Sequence, residues 1–177
     1  TDLCFTGHHP LADVLGIEQE EIDAPSEEFP NSFCYGDKTY AAGNLRELIH
    51  AAEGTEVVSV YEEDYVKGEP VVTAHSFGKG KAWYLAAAAG EDFLRVFYKD
   101  RLREAGLENA LGAELPYGVT VTERVGGGGK EIVFVMNFRD ETVKFPAAGS
   151  WTDAESGQKY GGTLEIGPFG CIVLKRD

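Results

Sequence analysis

At 177 residues the chain has room for one domain or two small ones, and 43% hydrophobic with 26% charged residues is an ordinary globular composition. Its net charge of −14 excludes nucleic acid and anionic membrane as partners, because both would repel it. The longest uncharged apolar run, Ala82–Ala89, is far too short to cross a bilayer.

The first residues, TDLCFTGHHP, contain neither an initiator Met nor a signal segment, so the chain is expected to be a mature product or a fragment. Pro10–Leu15 can make a turn or two of helix, which Gly16 would end. Ile17–Ala24 is at best an exposed edge strand, and Pro25–Pro30 is a loop. Ser32–Tyr35 and Lys38–Tyr40 flank Gly36-Asp37 and suggest a hairpin. Leu45–Ala51 and Glu56–Tyr61, with Gly54 between them, read as strand–turn–strand; an acidic turn follows at Glu62–Asp64.

Pro70–Gly90 is the clearest stretch. Val71, Thr73 and His75 alternate with Val72, Ala74 and Ser76, and Gly78-Lys79-Gly80 makes a turn. Trp83, Leu85 and Ala87 then alternate with Ala82, Tyr84 and Ala86. A helix follows, with Glu91 and Asp92 in its first turn, Lys99, Arg101 and Arg103 towards its end, and Gly106 as a stop. Leu94, Phe97, Tyr98, Leu102 and Ala105 predict its apolar stripe.

Leu107–Pro116 reads as a connector, and everything after it is β-like. Strands are expected at Val119–Val125, Ile132–Phe138, Glu141–Phe145, Ser150–Asp153, Thr163–Ile166 and Cys171–Lys175, with a four-glycine turn at Gly126–Gly129. Charge divides the same way. Residues 1–110 carry 21 acidic and 9 basic side chains, and residues 111–177 carry 9 and 7. The expected domains are therefore residues 1–112 and 113–177.

No constellation supports catalysis. GGGGK at 126–130 lacks the hydroxyl residue and the helix that a phosphate loop needs. His8-His9, His50 and His75 lack the spacing by which imidazoles share a metal. Cys4, Cys34 and Cys171 form neither a zinc pattern nor a disulfide framework, and three reduced thiols imply a cytoplasmic protein. Nucleophile elbows are absent around Ser76 and Cys34. The carboxylate groups Glu18/Glu20/Glu21, Glu27/Glu28 and Glu62/Glu63/Asp64 read as solvated acidic faces. No cofactor or metal is expected. Trp151 and Tyr160 are candidates for an aromatic carbohydrate-binding face, although core or rim packing is the plainer reading.

The order of these pieces resembles glycoside hydrolase family 42 β-galactosidases. The likeness runs through DLCFTGHHPLADVLGIEQEEIDA, then NLRELIHAAEGTEVVSVYEEDYVKGEPVVTAHSFGKGKAWYLA and EDFLRVFYKDRLREAGL, and continues in LPYGVTVTER, IVFVMNF and GPFGCIVL. The resemblance implies α/β followed by all-β. Residues 1–112 would be the C-terminal half of an α/β trimerisation domain of class I glutamine-amidotransferase-like (flavodoxin-like) fold. Residues 113–177 would be a small antiparallel β-sandwich. It also implies a homotrimer whose catalytic barrel, with its two glutamates, lies outside this chain, so the residues here would be structural and inactive alone. The missing half of the α/β domain would leave apolar surface exposed around Trp83, Leu85 and Leu94–Leu102. A carbohydrate-binding accessory module using Trp151 and Tyr160 is the alternative.

Overall fold

The computed structural model describes residues 10–26, 28 and 30–176, which are mostly β with two helices. They divide into two compact units, one running through Tyr98 and the other beginning at Lys99. Every strand pair among the described residues is antiparallel.

The first element described in this unit is a single helical turn, α1 (Ala12–Leu15), closed by Gly16 at φ 63° with its N–H donating to the Ala12 carbonyl. Strand β1 (Ile17–Asp23) follows, then the hairpin β2 (Ser32–Tyr35) and β3 (Lys38–Ala41). Next come β4 (Arg46–Ala51), β5 (Thr55–Val60), β6 (Pro70–Phe77) and β7 (Gly80–Leu85), and then helix α2 (Glu91–Glu104), which belongs to this unit as far as Tyr98.

The hairpin read from Pro70–Gly90 is present. β6 lies between β5 and β7, and Pro70–Ala74 are all buried. Alternation along β7 sorts its side chains to the sheet's two faces. Trp83 and Leu85 join a cluster containing Phe33, Tyr40, Phe93 and Phe97, while Tyr84 and Ala86 join Ile17, Ile49 and Leu15.

Three sequence expectations are corrected here. β4 and β5 follow one another as strand, turn and strand, as read, but they do not form a hairpin across Gly54: β4 pairs with β1, and β5 pairs with β6. The physical reason is burial, because Ile17 and Ile49 pack together on Ala86 in a cluster that a β4–β5 hairpin would not assemble. β1 is thus a paired strand whose first residue is core. On α2 the buried residues are Phe93 and Phe97, while Tyr98 and Leu102 are exposed. The β2–β3 hairpin selects Phe93, whose ring meets Phe33 edge-on at 4.9 Å, Tyr40 at 5.2 Å and Tyr35 at 5.4 Å. Trp83 and Leu85, expected at an exposed patch, are half-buried in that aromatic cluster, with Trp83 5.7 Å from Phe97.

The second unit is one five-stranded sheet ordered β11-β10-β12-β9-β8. Its strands are β8 (Val119–Val125), β9 (Glu131–Asn137), β10 (Val143–Asp153), β11 (Lys159–Ile166) and β12 (Cys171–Arg176). The two short strands expected at Glu141–Phe145 and Ser150–Asp153 are one strand with a bulge between Pro146 and Ser150. Gly149, at φ 92°, supplies the backbone freedom for it. Leu111, from the connector, is fully buried in this unit's core with Val133, Val135, Leu164 and Leu174. Asn137, at the end of β9, pins the β9–β10 and β11–β12 loops, its amide donating to the carbonyls of Glu141 and Gly167 at 2.8 and 2.9 Å.

Candidate functional site

Trp151 is not on a surface. It is 1% exposed within the second unit's core, its indole N–H donates to the Ala148 carbonyl at 2.8 Å, and the Arg176 guanidinium lies over its ring at 5.0 Å. Neither ring face is open to stack on a sugar. Tyr160 lies opposite Trp151 across the β10–β11 pair and is half-buried against the same core. The two are cross-strand neighbours packed against one core. A tryptophan in an alternating strand suits core and platform equally well, and burial settles which it is.

The acidic clusters are also engaged structurally. Glu62 accepts from the Ser32 hydroxyl at 3.0 Å and the Cys34 thiol at 3.0 Å, and these two hydrogen bonds, the thiol's first, hold its carboxyl below the usual range. The backbone N–H of Glu63 donates to Asn31 Oδ1. Glu20 contacts His50 Nε2 at 2.5 Å on the exposed face of the β1–β4 ribbon. Glu27, His8, His9 and Cys4 lie outside the described residues. Cys34 and Cys171 are exposed free thiols.

His75 faces a cavity of about 470 Å³ also lined by Asp13, Gly16, Glu18 and His50. The Thr55 hydroxyl donates to the Gly16 carbonyl at 2.8 Å, so the 2.9 Å contact to His75 makes Nδ1 the donor. A side chain at Gly16 would come within 2.1 Å of Thr55 Oγ1. Among the described residues no group of three or more His, Cys, Asp or Glu is arranged to hold a metal ion. None of the described helices is long and apolar enough to cross a membrane.

The arrangement that sequence reasoning missed is centred on Arg46. It is 1% exposed at the start of β4, directly across from Asp23 on β1. Nη2 reaches Asp23 at 3.4 Å and Nη1 reaches Asp64 at 3.3 Å, while buried Nε finds no acceptor among the described residues. Asp64 sits at φ 66°, a left-handed conformation rare for a residue with a side chain. Tyr65 donates its hydroxyl to Asp23 at 2.9 Å, and its ring centroid lies 6.0 Å from the Arg46 guanidinium. Loss of hydration, then the Asp23 carboxylate, push its phenol up to about 12. Two further tyrosines frame the cluster. Burial raises the phenol of Tyr61, which donates to the Ala86 carbonyl at 2.6 Å. Burial and the Glu47 carboxylate it bonds raise that of Tyr84. An arginine among alternating residues reads as a surface charge in the sequence. Only the acidic turn at Glu62–Asp64 hinted at a partner.

Two family profiles match the chain in succession. Residues 1–108 match a β-galactosidase trimerisation domain and residues 118–176 a β-galactosidase C-terminal domain. Among curated proteins, the β-galactosidases Pbg of Clostridium perfringens and BgaA of a Planococcus species are 34% and 36% identical over 99% of this chain. The chain spans 27% of the length of each. Among solved structures, a β-galactosidase from Bacillus circulans sp. alkalophilus superposes with a TM-score of 0.84 at 36% identity, covering 97% of this chain and 26% of that one. The cold-adapted β-galactosidase of Rahnella sp. R3 gives 0.83 at 32% identity, over 98% and 26%.

Proposed function

The chain belongs to the glycoside hydrolase family 42 β-galactosidases, and we propose that it is the assembly region of such an enzyme, separate from its catalytic barrel. The single observation that carries this reading is the order of the two matches, trimerisation domain then C-terminal domain, over nearly the whole chain. The whole protein would hydrolyse terminal β-D-galactosides with retention, through two glutamates outside these residues. Three copies would hold their barrels around a common centre, in the cytoplasm, without nucleic acid, membrane or cofactor.

In finer detail, residues 1–112 are read as half of a flavodoxin-like domain and residues 113–177 as a small β-sandwich. The described strands of the first unit pair antiparallel, unlike the parallel sheet of a complete flavodoxin-like domain; what the former reading keeps is the layering, a central sheet with α2 and the β2–β3 hairpin on one side and the β1–β4 ribbon on the other. The latter is supported by the bulged β10, which carries Val143 and Phe145 into one core with Val133 and Val135 of β9.

Size-exclusion chromatography with light scattering tests the assembly role. The expected result is a particle of three times the 19.2 kDa chain mass. A monomer at all concentrations would mean that these residues do not assemble by themselves. The same sample should leave a chromogenic β-galactoside intact; turnover would refute the non-catalytic assignment.

A further inference from the structure

The Arg46 cluster places one aromatic ring in a fixed position at the surface. We propose that the loop between β5 and β6, with Tyr65 at its tip, is a contact by which one copy of the chain grips a second copy. The inference rests on the assembly reading above.

The loop is closed at its base by the Tyr61 N–H bonding to the Glu69 carbonyl and the Gly68 N–H to the Tyr61 carbonyl, each at 2.9 Å. Val66, 1% exposed, anchors it from within. Asp64 accepts the Tyr65 backbone N–H at 2.8 Å through one carboxylate oxygen and the Arg46 guanidinium through the other. The Tyr65 hydroxyl is tied to Asp23. Despite these tethers at both ends, the Tyr65 side chain is 60% exposed.

The fold tolerates a left-handed aspartate and a buried, incompletely bonded arginine to hold this loop, and both are unfavourable in themselves. What they secure is the orientation of an exposed tyrosine. A ring immobilised before binding loses little entropy on contact, and tyrosine is among the residues enriched at the energetic centres of interfaces. The occupant is a second copy because the loop lies within the residues that match the trimerisation domain. A ring of three copies joins unlike surfaces head to tail, so the loop needs a different patch on its neighbour. Glu62, Glu63, Asp64 and Glu69 outnumber Lys67 and make the loop acidic, and the chain carries a complementary feature at the β6–β7 turn. There Phe77 is 49% exposed beside the exposed Lys79.

The test is light-scattering mass against protein concentration for the 177-residue chain and its variants. Tyr65→Ala should raise the concentration at half-dissociation about tenfold or more. Circular dichroism should be unchanged, since the ring is mostly exposed. Tyr65→Phe, which keeps the ring and removes only the hydroxyl tether, should weaken assembly by a smaller factor and serves if the alanine variant misfolds. Lys79→Glu should weaken assembly as well. A wild-type trimer indifferent to both Tyr65 variants would overturn the contact and leave the assembly reading standing. A wild-type monomer would overturn both. Loss of assembly with Tyr65→Ala but none with Lys79→Glu would overturn the pairing with the β6–β7 turn.

Discussion

Replacing Arg46 separates the contribution of its charge from that of its volume. The guanidinium is buried, but Asp23 and Asp64 are 33% and 35% exposed, so water screens part of the attraction. Contacts of 3.3 and 3.4 Å lie at the long end for hydrogen bonds. A hydrogen bond to a charged group contributes about 1.5–3 kcal/mol at good geometry, and about 1 kcal/mol each is a fair allowance here. Arg46→Met keeps most of the side-chain volume and removes the need to dehydrate a cation, so a net loss of about 1–2 kcal/mol is expected. Arg46→Ala adds an unfilled space between β4 and the Tyr65 loop, and should cost about 3–4 kcal/mol. In urea, with a slope of about 1–1.5 kcal/mol per molar for a unit of this size, the midpoint should fall by roughly 1–2 M and 2–4 M respectively. Circular dichroism follows the unfolding, and tryptophan fluorescence follows both units together, Trp83 in the first unit's aromatic cluster and Trp151 in the second unit's core. A methionine variant as stable as the wild type would refute the reasoning. The ion pairs would then only offset their own dehydration, and the left-handed Asp64 would need another support.

Trp151→Ala should destabilise the second unit by about 3–5 kcal/mol, read as a lowered thermal midpoint, because a fully buried indole and its hydrogen bond are both lost. Galactose titrated into the wild type should leave tryptophan fluorescence unchanged. Gly16→Ala should cost more than about 2 kcal/mol, since the new Cβ would lie 2.1 Å from Thr55 Oγ1 and 2.4 Å from His75 Nδ1 at φ +63°. Gly54→Ala, at φ +84° with nothing within 4 Å, should cost only about 1–2 kcal/mol; equal losses in urea titration would contradict the crowding argument. Glu62 titrates below its ordinary value when folded, so it supports the fold at neutral pH and loses that support as pH falls through the depressed value. Cys34→Ala removes the thiol hydrogen bond that lowers it most, and the carboxyl followed by NMR should move back up.

Local patterns carried a good deal of this structure. The β6–β7 hairpin was legible because its alternation and glycine turn are short-range features, and the two faces assigned to Trp83/Leu85 and Tyr84/Ala86 are the ones observed. The acid-to-base polarity of α2 likewise marked its ends. The helix's buried face was not legible to the same degree. Leu94, Tyr98 and Leu102 fit a stripe as well as Phe93 does, and only the rings of Phe33, Tyr35 and Tyr40 across the gap decide for Phe93. The family, too, was legible, because it is written in the order of motifs along the chain.

The amino-acid sequence by itself thus determined strand positions, the hairpin, the helix and family membership, all of which depend on neighbours in the chain or on the succession of segments. Tertiary structure alone decided that β4 pairs with β1, that Trp151 is core, and that Arg46 lies buried between Asp23 and Asp64. Those outcomes depend on residues brought together from distant parts of the chain. The same arginine or tryptophan is compatible with solvent or interior until the opposing surface is in place, and burial then makes the choice.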